Sequence, residues 1–177
     1  MSGASSSLVV RVGDKVACVE VAGRANFNCS TEFKGLLREL RQRGVTRFIL
    51  ALSDCVLMDS TFVGVLAKTA LDFDRERAAE AGCTIELLGA GDRVNEMLES
   101  LGVQHLFKTL PDAASVAADL VPVDLQAGST TRQEMTKTSL EAHQALMELN
   151  PENRKKFADV EKFLAEDLQK SSSNPKT

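Results

Sequence analysis

The sequence has no tryptophan or tyrosine, and it has only four cysteines and two histidines among its 177 residues. Without Trp and Tyr, a surface that stacks nucleic-acid bases is not expected. The net charge of −4 also argues against nucleic acid or an anionic membrane as a partner. We therefore expect no nucleic-acid-binding and no membrane-binding function.

The cysteines and histidines do not form a metal-binding or disulfide pattern. No two cysteines have C-x-x-C spacing, and each stands among apolar residues. His105 and His143 are isolated, with no plausible second ligand nearby in sequence. We expect reduced thiols that act as small apolar residues, no metal and no other cofactor. The cysteines are Cys18, Cys29, Cys55 and Cys83.

The N-terminal stretch "MSGASSSLVV" has neither a basic segment nor a long apolar run, so we expect no signal peptide. Apolar runs such as "FILAL" (48–52) are too short to span a membrane. These features predict a cytoplasmic protein.

The first 123 residues show the periodicities of an α/β domain. Two β-branched runs, 8–12 and 15–21, flank "GD" and predict a hairpin. A helix is expected from about Ser30, as its N-cap, to Arg43, and the apolar run 46–53 predicts a central strand.

The same region continues with alternating helices and strands. A helix is expected from "MDS" to near Gly82, followed by a strand (83–90), a helix (91–102), a short edge strand (105–110) and a helix (111–120). This order predicts a mixed sheet of four to five strands, packed with about four helices.

The remaining residues predict a helical extension. Residues 124–133 are polar and indicate a linker, and residues 134–177 contain two apolar stripes followed by a disordered tail. Helices of this length need a surface to bury against, which is either their own domain or a second copy of the chain. The heptad spacing of the first stripe favours the second copy, as a homodimer.

No catalytic constellation is visible, so we expect no enzymatic activity. A nucleophile elbow and a phosphate loop with its lysine are both missing, and "GAGDRV" (89–94) is more typical of a strand-to-helix turn than of a dinucleotide site. The remaining candidate is Asp59-Ser60-Thr61 at the start of a helix. It is explained either as an N-cap by Asp59 or Ser60, or as an exposed phosphoacceptor at the positive end of a helix dipole.

Two segments resemble the STAS domain family, the bacterial anti-sigma factor antagonists. "LSDCVLMDSTFVGVLAKTA" (52–70) is similar to the family's phosphoacceptor segment, in which a strand and short loop lead into Asp-Ser-Ser/Thr and an apolar helix. Residues 87–120 are similar to the family's later strand, helix and final helix. The resemblance covers about residues 8–121 and implies the STAS fold.

The resemblance implies a protein-binding switch. Ser60 matches the serine that is phosphorylated by a kinase that is also the anti-sigma factor, with Thr61 as the second choice. The unphosphorylated protein would sequester this kinase and free a sigma factor, and a serine phosphatase would reset the switch. The alternative is a STAS scaffold in a transporter or signalling complex, never phosphorylated. Partner-binding residues are expected at Asn26, Asp59, Ser60, Thr61, Phe62 and Gly64.

Two residues depart from the family pattern. Phe62 stands where glycine is common, and we expect it either in the core or in contact with the partner. Asn26 stands where the family often has aspartate, so it keeps hydrogen bonding but lacks the charge. The loop at 23–28 and the turn at 60–64 should converge into one contact surface if the second and third strands are neighbours.

Overall fold

The structure is a computed structural model that describes residues 5–77, 82–116, 119–125 and 128–173. Within these ranges there are seven strands, five α-helices and two short 3₁₀ turns. The strands are β1 Ser7–Val12, β2 Val16–Ala25, β3 Arg47–Ala51, β4 Cys55–Met58, β5 Thr84–Leu88, β6 Lys108–Leu110 and β7 Val121–Val123. The helices are α1 Phe27–Gln42, α2 Ser60–Arg77, α3 Asp92–Ser100, α4 Arg132–Leu149 and α5 Pro151–Ser173.

The strands form one mixed sheet in the order β6-β5-β3-β2-β1-β7, with β4 paired to the far end of β2. The hairpin β1–β2 is antiparallel, whereas β2, β3, β5 and β6 run parallel. The expected fold class is confirmed. In the described chain the sheet has more strands than the four to five expected, because β4 and β7 are too short to give a periodic signal.

The apolar core lies mainly on one face of the sheet. Alternate residues of β2, Ala17, Val19 and Val21, point into this core together with the apolar stripes of α1 and α2. A smaller cluster covers the other face and contains Cys18 and Ile49. The two faces explain why the central strands read as continuous apolar runs.

The prediction of a helix at 111–120 is wrong. The described part of this segment contains only a 3₁₀ turn, Ala113–Ser115, and Val116 and Leu120 pack on the second face of the sheet. The chain must cross from the β6 edge to the β7 edge. Five inter-strand spacings of ~4.8 Å make about 24 Å, while ten helical residues reach only ~15 Å. A single helix of ten residues is therefore too short for this crossing.

The predicted start of α1 is also wrong. The helix begins at Phe27 and its N-cap is Asn26, whose side chain accepts a hydrogen bond from the Asn28 amide. Ser30 lies within the first turn, where its hydroxyl donates to the Asn26 carbonyl. The expected loop at 23–28 is strand up to Ala25 and helix from Phe27, because β2 continues along its partner β4 and α1 starts early.

The C-terminal helices α4 and α5 form a hairpin that packs on the domain. Helix α4 starts with a capping box between Thr131 and Glu134, and these hydrogen bonds lower the pKa of the Glu134 carboxyl. Ala142 and Leu146 of α4 belong to the main core. Of the two surfaces considered for the first apolar stripe, the structure therefore shows the stripe on its own domain. A homodimer stays an untested prediction.

Two predictions concern residues that the structure does not describe. The predicted end of α2 near Gly82 adjoins residues 78–81, and the last residues of the expected disordered tail are 174–177. Within the described part of that tail, α5 continues to Ser173.

Candidate functional site

The ends of β2 and β4 bring the two polar segments of the sequence together. Both strands run in the same direction, with Ala25 opposite Met58, so the residues that follow them are neighbours. The Asp59 amide donates to the Ala25 carbonyl at 2.9 Å. The expected convergence of the 23–28 and 60–64 segments is confirmed by this geometry.

Asp59 caps two helices with one carboxylate. Its Oδ1 accepts from the Phe62 amide at 2.8 Å in the first turn of α2. Its Oδ2 accepts from the Phe27 amide, also at 2.8 Å, at the start of α1. Both bonds use amides that have no partner within their own helix. The N-cap interpretation of Asp59 is confirmed, and the residue also fixes α1 relative to α2.

Ser60 is the first residue of α2, and it is partly buried because α4 lies over it. Its Oγ is 3.0 Å from Nε2 of His143 in α4. Nδ1 of the same ring is 2.7 Å from the Ser139 carbonyl, which can only accept a hydrogen bond. In the neutral ring Nδ1 is therefore the donor and Nε2 the acceptor, so the Ser60 hydroxyl donates to His143.

The next turn of α2 is covered more closely by α4. The Thr61 hydroxyl is buried and lies 3.3 Å from the Ser139 hydroxyl. A Cβ at Gly64 would lie 2.5 Å from the carbonyl oxygen of Ala142 and 2.7 Å from its carbonyl carbon. Gly64 thus has no side chain because the backbones of α2 and α4 touch at this point.

Phe62 lies in the core and makes no surface contact. Its side chain is fully buried and its ring lies 4.7 Å from that of Phe33, measured between centroids. Of the two places expected for this residue, the core is confirmed and a direct partner contact is excluded in this structure. Its bulk stabilises the packing of α2 on α1.

Two large apolar side chains flank the site and are exposed. Phe27, next to the Asn26 cap, is 51% exposed, and Val56 in β4 is 48% exposed. Sequence reasoning did not select either residue, because single exposed apolar residues are common. Near a polar turn they form a mixed surface of the kind found at protein–protein interfaces.

His143 is isolated in sequence, and the fold brings it to a serine 83 residues away. A histidine beside a serine hydroxyl can act as a general base. Here, however, the ring is buried and packs edge-on against Phe157 at 4.9 Å. Three cavities of the described chain are lined by residues other than these two. The pair is a hydrogen bond that joins α2 to α4.

The other candidate groups of the described chain are structural. Burial raises the pKa of the Cys29 and Cys55 thiols, so both stay protonated near the site. Among the described residues, no three His, Cys, Asp or Glu side chains are grouped as they would be around a metal ion. The described helices include none with the length and apolarity needed to cross a bilayer.

Comparisons with solved structures find the same fold in anti-sigma factor antagonists. An antagonist from Mycobacterium paratuberculosis matches with a TM-score of 0.52 and 17% identity, over 63% of this chain and 90% of its own. The NMR structure of the protein TM1081 matches with a TM-score of 0.50 and 19% identity, over 60% of this chain and 82% of its own. At these identities the likeness concerns the fold. No curated protein matches the chain.

The family comparison covers the sheet and the site. The family described as "Mlab, STAS domain" matches residues 8–111, which is more than half of the chain and includes β1 to β6 and the Asp59-Ser60-Thr61 turn. The chain therefore belongs to the STAS domain family.

Proposed function

We propose that the protein is an anti-sigma factor antagonist, a binding switch controlled by phosphorylation of Ser60. The observation that carries this proposal is the placement of Asp59-Ser60-Thr61 at the junction of β4 and α2, beside the Asn26 cap of α1. In its unphosphorylated form the protein binds a serine kinase that is also the anti-sigma factor. This binding releases a sigma factor, and a serine phosphatase restores the binding form.

The charges around Ser60 explain how a phosphate would act. A phosphoserine carries about −1.5 to −2 charges at neutral pH. Placed on Ser60 it would adjoin the Asp59 carboxylate, whose two oxygens are already used by the Phe62 and Phe27 amides. Because Asp59 cannot leave without uncapping both helices, the phosphate adds repulsive charge beside Asp59 while the starts of α1 and α2 stay capped.

The surface offered to the partner combines polar caps with apolar flanks. Asn26, Asp59 and Ser60 are partly buried and present polar atoms, while Phe27 and Val56 are exposed. A kinase with an apolar contact area and hydrogen-bond donors would fit this surface. Phosphorylation would then weaken the complex, because binding would have to desolvate a dianion at the centre of the interface and would meet electrostatic repulsion there.

The protein in this scheme is a substrate and a ligand, not an enzyme. In the Ser60–His143 pair, Nδ1 of the histidine faces the Ser139 carbonyl in place of the carboxylate of a catalytic triad. The switch needs no bound cofactor, and it would operate in the cytoplasm, where its kinase finds ATP.

The alternative is a STAS scaffold that is never phosphorylated. It is favoured by one observation, namely that the hydroxyls of Ser60 and Thr61 are hydrogen-bonded to residues of α4. In a scaffold these contacts would be permanent, and the hydroxyls would serve only to attach the hairpin.

One experiment distinguishes the phosphorylation switch from the scaffold. The protein is incubated with purified serine kinases of the source organism and Mg-ATP, and residues 56–68 are then examined by mass spectrometry. We expect one phosphate on Ser60, lost in Ser60→Ala and kept in the matched control Ser53→Ala, an exposed serine seven residues earlier. Ser60→Asp should weaken kinase binding. Undiminished labelling of Ser60→Ala would move the acceptor elsewhere, and tight kinase binding by Ser60→Asp would contradict charge as the switch.

A further inference from the structure

We propose that the α4–α5 hairpin is an internal competitor of the partner, which covers the phosphoacceptor surface and must move before Ser60 can be phosphorylated. The inference rests on the proposed function and adds regulation of the same site. Three contacts carry it: Ser60 with His143, Thr61 with Ser139, and Gly64 with the backbone of Ala142.

These contacts cover the residues that a partner would have to reach. Thr61 and Gly64 are buried, and the Ser60 hydroxyl donates a hydrogen bond to the imidazole of His143. In phosphoryl transfer Oγ loses its proton and bonds to the γ-phosphorus of ATP, on the side opposite the bond to ADP, which breaks. The phosphorus and its three further oxygens therefore need free space next to Oγ. The His143 ring occupies one side of this hydroxyl at 3.0 Å, so the closed form is a poor substrate.

The hairpin is an addition to the domain that carries the site. The family match ends at residue 111, before the first residue of α4 at Arg132. The segment between β7 and α4 has no helix or strand in its described part, so it can act as a tether. Strands β1 to β6 and the site thus belong to the matched domain, while the α4–α5 hairpin that covers the site belongs to the appended segment.

The interface itself has the character of a contact that can open. Two of the contacts between α4 and the domain are hydrogen bonds between polar side chains, Ser60 with His143 and Thr61 with Ser139, and polar contacts of this kind are common in interfaces between domains. A salt bridge of 2.6 Å between Lys34 of α1 and Glu141 of α4 is partly exposed. Salt weakens such a pair.

Contacts near the turn of the α4–α5 hairpin hold it on the domain. Asn153 of α5 is fully buried, and its Nδ2 donates to the Leu101 carbonyl at 2.9 Å and to the Leu146 carbonyl at 2.8 Å. The Lys156 ammonium donates to the Ser100 carbonyl. The hairpin is therefore fixed at its turn, and the closed form should dominate until a partner or a change in α4 displaces it.

The first part of the test measures access to position 60 in the full chain, without any kinase. Ser60→Cys is treated with a thiol reagent, and the four native thiols give a slow background because they are buried. We expect this cysteine to react at least about tenfold more slowly than one placed by Ser129→Cys in the exposed linker, since only the open fraction reacts. Equal rates would overturn the proposal and leave the proposed function standing.

The second part opens the hairpin. Ala142→Glu places a carboxylate where α4 touches Gly64, and it should speed both the thiol reaction of Ser60→Cys and kinase labelling of Ser60 by about tenfold or more. Lys137→Glu adds the same group on the exposed face of α4 and should change neither rate. If Ala142→Glu fails to fold by circular dichroism, His143→Ala replaces it, because it removes the contact to Ser60 without adding charge.

The outcomes distinguish the proposed regulation by the hairpin from the proposed function of Ser60. Faster labelling of the opened variant together with faster thiol reaction supports the competitor. Equal labelling of wild type and the opened variant overturns the regulation, while Ser60 remains the acceptor. If Ser60 of the opened variant is not labelled by any kinase, the proposed function fails and the inference fails with it.

Discussion

Replacement of Asp59 with alanine should lower the free energy of unfolding, because its carboxylate caps both α1 and α2. Loss of the α2 cap costs about 0.5–2 kcal/mol. Loss of the bond to the Phe27 amide costs about 1.5 kcal/mol, the low end for a charged acceptor, because this bond is exposed to water. The sum is roughly 2–3.5 kcal/mol. At about 2–4 °C for each kcal/mol in a chain of this size, the melting temperature should fall by roughly 4–14 °C.

Thermal unfolding followed by circular dichroism measures this effect, and two controls define its cause. Asp59→Asn keeps one acceptor oxygen and should lose about half of the stability that Asp59→Ala loses. Asp54→Ala removes an exposed carboxylate from the preceding turn and should change stability by less than about 0.5 kcal/mol. If Asp59→Ala melts within ~1 °C of wild type, the double cap is not a stabilising element and the reasoning fails.

Two further predictions follow from the helix contact and from the thiols. Gly64→Ala should destabilise the protein by about 1–3 kcal/mol, because the new methyl group meets the backbone of Ala142. Gly35→Ala, in α1 with no neighbour within 4 Å, should stabilise it by about 0.5–1 kcal/mol, and the opposite order of the two melting temperatures would contradict the contact. Burial raises the pKa of the Cys18, Cys29 and Cys55 thiols in the folded state. Their contribution to stability is present below the unfolded pKa and is lost as the pH rises through the folded value, so denaturant unfolding should show stability falling above about pH 8.5. A rise in stability over that range would refute this assignment.

Local signals in the sequence were enough to predict most of the sheet. The β1–β2 hairpin and β3 are apparent from β-branched runs, and α2 begins at Ser60 as its cap indicates. The start of α1 was misplaced because Asn26 and Ser30 are both good caps, and only the Asp59 carboxylate on the Phe27 amide decides between them. That bond joins residues 32 positions apart, which local reasoning does not see.

The segment 111–120 and the hairpin depended on the tertiary fold. Apolar spacing favours a helix at 111–120, but the width of the sheet requires a more extended chain. The helices α4 and α5 were predicted from their stripes, whereas their docking surface was not. Gly64 was a signal that could have located it, because a glycine in the middle of a helix often marks the close approach of another backbone.

The site was predicted in part. The convergence of Asn26 and Asp59 was expected from β2 and β3 as neighbours. The strand that places Asp59 beside Ala25 is β4, which was too short to be predicted. His143, Ser139 and Ala142 were missed, because they belong to a helix whose sequence carries no sign of the serine that it covers. The core was one of the two locations expected for Phe62, and its side chain is buried there.

The most direct test of the switch compares the affinity of the serine kinase for the protein before and after phosphorylation of Ser60. Calorimetric titration of both forms, with the modified form verified by mass spectrometry, gives the two dissociation constants. The account predicts that phosphorylation weakens binding by at least about tenfold, or ~1.4 kcal/mol. Equal affinity of the kinase for the two forms would contradict it.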